Sequence, residues 1–247
     1  MEARTGNVLE LSLGLSVHVK VIYVNDVNMP CDVNVVNIDL VSMTRPPRSY
    51  HHGDLRQALV DGAIKILREE GPEGLTLRAV ARAAGVTQAA PYRHFKDRRA
   101  LVAAVAEDGF RRLGAAMAGR PSKQKKSRAR NPGETLRELA VQYVRFAHAH
   151  PAEYRVMFGE ELAPGTENPE LRASSRAVFD LLSGGIAALQ ERGVIRKADP
   201  DTIAIGAWAM MHGLVMLSLD RHATVAGRSL DDLVAGVTDL LMNGMKA

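Results

Sequence analysis

From Asp54 onward, apolar residues recur at helical spacing. Leu55, Leu59, Ala63, Ile66 and Leu67 form one stripe, with Arg56, Lys65, Arg68 and Glu69 between them, a pattern that predicts an amphipathic helix. Gly71-Pro72-Glu73-Gly74 stops it. Thr76 is placed to cap a second helix whose stripe is Leu77, Val80, Ala81 and Ala84, and Gly85 ends that one. A third, short helix is expected from about Thr87 to Phe95. Asp97 then caps a fourth, which carries Leu101, Val102, Val105 and Phe110. Longer helical patterns follow over 134–150, 151–158, 169–192, 200–219 and 230–245, with Pro169 and Pro200 at positions suited to helix starts.

The first 43 residues differ. Val and Asn alternate loosely there, without a helical period and without the layout of a secretory leader. They are expected to be a disordered extension, or to lie upstream of a true start at Met43. The chain is therefore divided into an extension (1–43), a first helical domain (44–113), a basic linker (114–133) and a second helical domain (134–247). The expected fold class is all-α, which a 4% aromatic content in 247 residues also favours. One cysteine, Cys31, leaves no internal disulfide framework and fits a reducing compartment such as the cytoplasm. No apolar run is expected to be long enough for a membrane span, for which about 18 residues are needed.

Charge sharpens the division. Residues 44–113 carry a net +5 and residues 114–130 a net +6, against −3 before them and −4 after them. Positive charge confined to the middle of the chain points to a polyanionic partner for that part alone.

The stretch GVTQAAPYRHFKDRRAL, from Gly85 to Leu101, shows which polyanion. Helix, glycine turn and short helix is the helix-turn-helix arrangement, whose second helix faces the major groove of double-stranded DNA. Gln88 offers a two-way amide suited to adenine, and Ala89 and Ala90 permit close approach. Arg93 and His94 supply donors, and Tyr92 can set its hydroxyl on a phosphate. Asp97-Arg98-Arg99 opens the next helix, with free amides and two guanidiniums for a second phosphate. Phe95 reads as a core wedge. Tyr92 and His94 read as facing DNA, because their surroundings are otherwise polar.

The run LTLRAVARAAGVTQAAPYRHFKDRRAL resembles the DNA-binding signature of TetR-type bacterial transcriptional regulators, with the Tyr-x-His-Phe centre and its spacing from the glycine intact. SYHHGDLR, before it, resembles one branch of that family. The resemblance covers about residues 50–113. It implies DNA contacts at Arg78, Thr87, Gln88, Ala89, Ala90, Tyr92, Arg93, His94 and Arg98. Two positions depart from the family pattern. Pro91 stands where an aliphatic residue is usual and should distort the first turn of the recognition helix. Arg99 replaces a common acidic residue and should strengthen non-specific binding.

The second half offers no catalytic arrangement, so no enzyme, metal site or cofactor is expected. His148 and His150 fall on different helix faces, and Ser174 and Ser175 lack a nucleophile elbow. YVRFAHAHPAEYRVMFG and the later Trp208-x3-His212-Gly213 are similar to a W-x3-H-G type of regulatory domain in the same family. That similarity implies a helical bundle that dimerises and holds a small-molecule effector. Tyr143, Phe146, Met157, Phe158, Phe179, Trp208, Met211 and His212 are the candidate pocket residues, although for each one taken singly the spacing favours plain core packing. Apolar stripes on the last two helices suit a homodimer, as paired half-sites of a roughly palindromic operator require. The expected function is a ligand-released repressor. A non-specific architectural DNA binder, or a helical-bundle metal protein or enzyme, are the rival readings.

Overall fold

Short polar side chains set several of the helix starts. Thr76 Oγ1 accepts from the Ala79 amide at 3.1 Å, Asp97 Oδ1 from Ala100 at 2.7 Å, Asn168 Oδ1 from Leu171 at 2.9 Å and Asp199 Oδ2 from Thr202 at 2.9 Å. Each satisfies an amide that the first turn of a helix leaves open. A computed structural model describes residues 52–119, 132–159, 162 and 168–245 of the chain. The readings for residues 1–43 and for the basic segment after Gly119 lie outside the described residues.

Among the described residues eight α-helices follow one another: α1 (His52–Glu69), α2 (Leu77–Ala83), α3 (Arg98–Ala118), α4 (Pro132–Ala149), α5 (Pro151–Met157), α6 (Pro169–Glu191), α7 (Pro200–Leu219) and α8 (Leu230–Met245). Among the described residues no sheet forms, and the fold is all-α. α3 runs to Ala118, so residues 114–118 are helix rather than linker.

The expected third helix is not an α-helix. Only a single 3-10 turn forms, Pro91–Arg93. Pro91 lacks the N–H that would bond back to the Thr87 carbonyl, which accepts from Ala90 at 3.0 Å instead. Arg93 then bonds to the Ala90 carbonyl at 3.2 Å and His94 to that of Pro91 at 2.9 Å, both in the tighter 3-10 pattern. Before this turn, Gly85 adopts φ +68°. The Val86 amide bonds to the Ala81 carbonyl at 3.0 Å and the Gly85 amide to that of Arg82 at 3.1 Å, a Schellman cap that ends α2.

Two cores share α3. Leu101, Val102 and Val105, from its first half, pack with Leu59, Val60, Leu75, Val80 and Phe95. Phe110, Leu113 and Met117, from its second half, pack with Tyr143, Val144, Tyr154, Met157, Met211 and Val215. At 21 residues, α3 is a rod of about 30 Å that belongs to both halves. α5 also meets both, through Ala152 and Val156 on one side and Tyr154 and Met157 on the other. A third cluster, Leu136, Ile186, Leu189, Ile195, Ala204 and Met245, closes the far end of the bundle.

α7 corrects one expectation. It is 20 residues long with a mean hydropathy of 1.6, so by length and composition it could cross a membrane. It packs instead against α4, α6 and α8. Of its large apolar side chains, Ile205, Trp208, Met210 and Leu217 are exposed.

Candidate nucleic-acid interface and bundle cavity

The α2–turn unit presents its polar residues outward. Arg78, Thr87, Gln88, Ala89, Tyr92 and Arg93 are exposed, and Ala90 and His94 are half-buried. Tyr92 is 54% exposed, which removes it from the core. Pro91 and Phe95 are the buried anchors of the turn, and the Arg56 guanidinium lies 5.8 Å over the Phe95 ring. The turn is thus fixed by two apolar side chains while its polar ones stay open to solvent.

Arg98 is used differently. Its Nε donates to the Leu75 carbonyl at 2.8 Å and its Nη2 to the Pro72 carbonyl at 2.9 Å. Those bonds tie the start of α3 to the α1–α2 connection. Among the expected DNA contacts, it is therefore the one whose guanidinium is turned toward backbone carbonyls of the protein.

In the second half, a cavity of about 650 Å³ opens between α3, α4, α5, α6 and α7. Of the eight candidate pocket residues, Tyr143, Met157, Phe158, Phe179 and Trp208 line it. The other three do not. Phe146 is buried with its ring 4.8 Å from that of His150. Met211 borders a separate small recess of about 40 Å³. His212 stands behind the cavity wall as the end of a hydrogen-bond chain.

That chain has a direction. The Trp208 indole N–H, which can only donate, meets Tyr143 Oη at 3.0 Å. Tyr143 and Tyr154 hydroxyls lie 2.6 Å apart, and Tyr154 Oη lies 2.6 Å from His212 Nδ1. Burial lowers the His212 pKa, so its ring stays neutral and Nδ1 can accept. Trp208 then donates to Tyr143, Tyr143 to Tyr154, and Tyr154 to His212. Burial pushes the Tyr143 hydroxyl up to about 12 and that of Tyr154 further up, which keeps both protons in place. Among the described residues no buried side-chain nitrogen or oxygen lacks a partner, so the cavity floor is chemically closed.

The mouth is polar. Arg172, Ser175 and Arg176 of α6 line it, with Asn168 and Asp201. Arg176 Nε bonds to Asp180 at 2.7 Å, its Nη2 lies 3.7 Å from Asp201, and its guanidinium covers the Phe179 ring at 5.3 Å. Ser183 also donates to Asp201. The sequence reading missed this group. Arg172, Arg176 and Phe179 follow one another at i, i+4 and i+7, which was the available signal, but exposed arginines on a helix look like an ordinary solvated face.

A second feature was also missed. Glu153 of α5 is fully buried and bonds through both oxygens to Arg68 of α1, with Nε at 3.2 Å from Oε2. Arg112 of α3 approaches the same carboxylate at 3.5 Å, and His150 Nδ1 lies 3.5 Å from it. Burial pushes the Glu153 carboxyl up, but the Arg68 hydrogen bonds and the surrounding positive charge outweigh that and hold it below the usual value. The pair of groups near α5 thus faces both ways, toward α1 through Glu153 and toward the cavity through Met157 and Phe158.

Known proteins match both halves. Residues 59–105 match the family described as bacterial regulatory proteins, tetR family, and residues 136–241 match the tetracyclin repressor-like C-terminal domain. An uncharacterized HTH-type transcriptional regulator of Mycobacterium tuberculosis is 29% identical over 168 residues, which are 66% of this chain and 70% of that protein. The class C tetracycline repressor protein of Escherichia coli is 48% identical over 52 residues, 21% of this chain and 24% of its own. The solved structure of a Rhodococcus sp. RHA1 protein with unknown function superposes with a TM-score of 0.69 and 36% identity, covering 81% of this chain and all of that one.

Proposed function

The chain belongs to the TetR family of bacterial regulatory proteins, and we propose that it is a dimeric repressor released from its operator by a small molecule held in the bundle cavity. Arg78, Thr87, Gln88, Ala89, Ala90, Tyr92, Arg93 and His94 form the DNA-facing surface. Gln88 reads a base edge, Ala89 and Ala90 allow the approach, and Tyr92 and the cations seat phosphates. Arg98 supports this surface from behind through its bonds to Leu75 and Pro72.

The partner copy covers the outer face of α7 and α8. Met210, Leu217 and Leu240 are exposed there, and Gly206, Gly213 and Gly236 have open space where a side chain would stand. Two such helices from each protomer make a four-helix interface that sets the separation of the two DNA-facing turns.

The observation that carries the reading is the position of α5. Met157 and Phe158 border the cavity, while Glu153, one turn earlier, holds Arg68 of α1. A ligand that displaces α5 from inside the cavity moves α1, and with it the DNA-facing turn, so that the two halves of the dimer fit their paired half-sites less well.

Footprinting of the purified protein on DNA flanking its own gene, against excess competitor at physiological salt, tests the reading. A protected, roughly palindromic site is expected. Protection that spreads evenly and disappears with competitor contradicts sequence-specific regulation and fits a non-specific binder.

A further inference from the structure

We propose that the cavity selects an amphipathic monocarboxylate, with its apolar body among the aromatic walls and its carboxylate on Arg172; this rests on the reading of the cavity as an effector site. The interior is apolar, built by Phe110, Met117, Met157, Phe158, Val178 and Leu182. Its two polar groups, the Tyr143 hydroxyl and the Trp208 indole N–H, are committed to the chain that ends on His212. Nothing on the floor calls for a polar ligand group, and a polar group placed there finds no unpaired partner.

Recognition of charge therefore falls to the mouth. Arg176 is already matched, by Asp180 at 2.7 Å and Asp201 at 3.7 Å. Arg172, one turn before it on the same face of α6, lines the same opening, and among the described residues it has no ion-pair or side-chain hydrogen-bond partner. Among the described residues, Arg172 is thus the uncommitted cation above an apolar chamber. A guanidinium takes a carboxylate through two parallel hydrogen bonds, which a hydroxyl cannot reproduce. The ligand carries one negative charge rather than two, because Asp201 stands at the rim beside the second arginine. At about 650 Å³, the chamber is in the range of sites that enclose small organic molecules, roughly 300–1,000 Å³.

Trp208 is the single tryptophan of the chain and lines the cavity, so its emission reports occupancy directly. The probes are two matched pairs, decanoate with decanol and phenylbutyrate with phenylbutanol, titrated into the full-length protein below micellar concentrations. In at least one pair the acid is expected to change Trp208 emission saturably and to bind about tenfold or more tighter than the alcohol. Arg172→Gln should remove that preference while leaving alcohol binding and thermal unfolding unchanged, since Arg172 is exposed. An alcohol that binds as well as its acid, a preference that survives Arg172→Gln, or the failure of both acids to perturb Trp208 overturns the proposal. Operator binding separates it from the broader reading. An acid that occupies the cavity by these criteria but leaves operator affinity unchanged supports the site and counts against effector control. Release of DNA by an uncharged molecule that perturbs Trp208, with neither acid binding, supports effector control and overturns the carboxylate site.

Discussion

Arg68 of α1 holds the fully buried carboxylate of Glu153 of α5 through two guanidinium nitrogens, one of them 3.2 Å from Oε2. Arg112 stands 3.5 Å from the same carboxylate. Both arginines keep contact with water, so removing the carboxylate's charge costs less than breaking a wholly buried pair, for which about 3–5 kcal/mol is usual. Glu153→Gln is expected to lower unfolding stability by roughly 2 kcal/mol in urea titration. The folded carboxyl titrates below its ordinary 4.5. Its contribution is therefore complete above that value and is lost as pH falls through the folded one. Glu153→Gln should flatten the acid limb of the stability profile accordingly.

Acidification acts on His212 with the same sign, starting at higher pH. The unfolded chain takes up a proton on this ring near the ordinary 6.5, while burial resists it in the folded chain. Stability that is complete above about 6.5 is lost as pH falls toward the folded value. Protonation also obliges Nδ1 to donate, which reverses the hydrogen bonds of Tyr154 and Tyr143. His148 and His150 are lowered by burial too and add to the slope. Melting temperature should fall between about pH 7.5 and about pH 5.5. His212→Asn, which keeps an acceptor for Tyr154 but does not titrate, should show a smaller fall.

Leu240 is 68% exposed on α8 and is assigned to the face between two copies. Leu240→Arg should shift the protein toward monomer in sedimentation velocity while leaving its helical circular dichroism unchanged. It should also weaken DNA binding, since a monomer meets one half-site only. A variant that remains a dimer would place the interface elsewhere.

Much of this fold could be read from local chemistry. Thr76 and Asp97 cap the helices that their positions announce, and Phe95 wedges into the first core as expected. Pro91 forecast a distorted turn, although its missing N–H shortened the recognition segment further than the pattern implied. Glu153 was illegible for a different reason. A glutamate on a short helix is ordinarily a solvated one, and the arrival of Arg68, 85 positions away, with Arg112 beside it, makes a buried carboxylate tolerable. Arg172 and Arg176 were hidden in the same way, since a helical arginine looks alike beside water or beside a cavity. The apolar run of α7 was underestimated because its Gly and Ala positions interrupt the large side chains without making it polar.

The central claim is that Gln88 and its neighbours read a specific DNA site. Its most direct test is fluorescence anisotropy of wild type and Gln88→Ala on the protected duplex and on a scrambled duplex, at equal salt. One bidentate base contact is worth about 1–3 kcal/mol of discrimination. Gln88→Ala is therefore expected to lose roughly tenfold or more in affinity for the site while binding the scrambled duplex as wild type does. Equal affinities for both duplexes in both proteins would contradict the account.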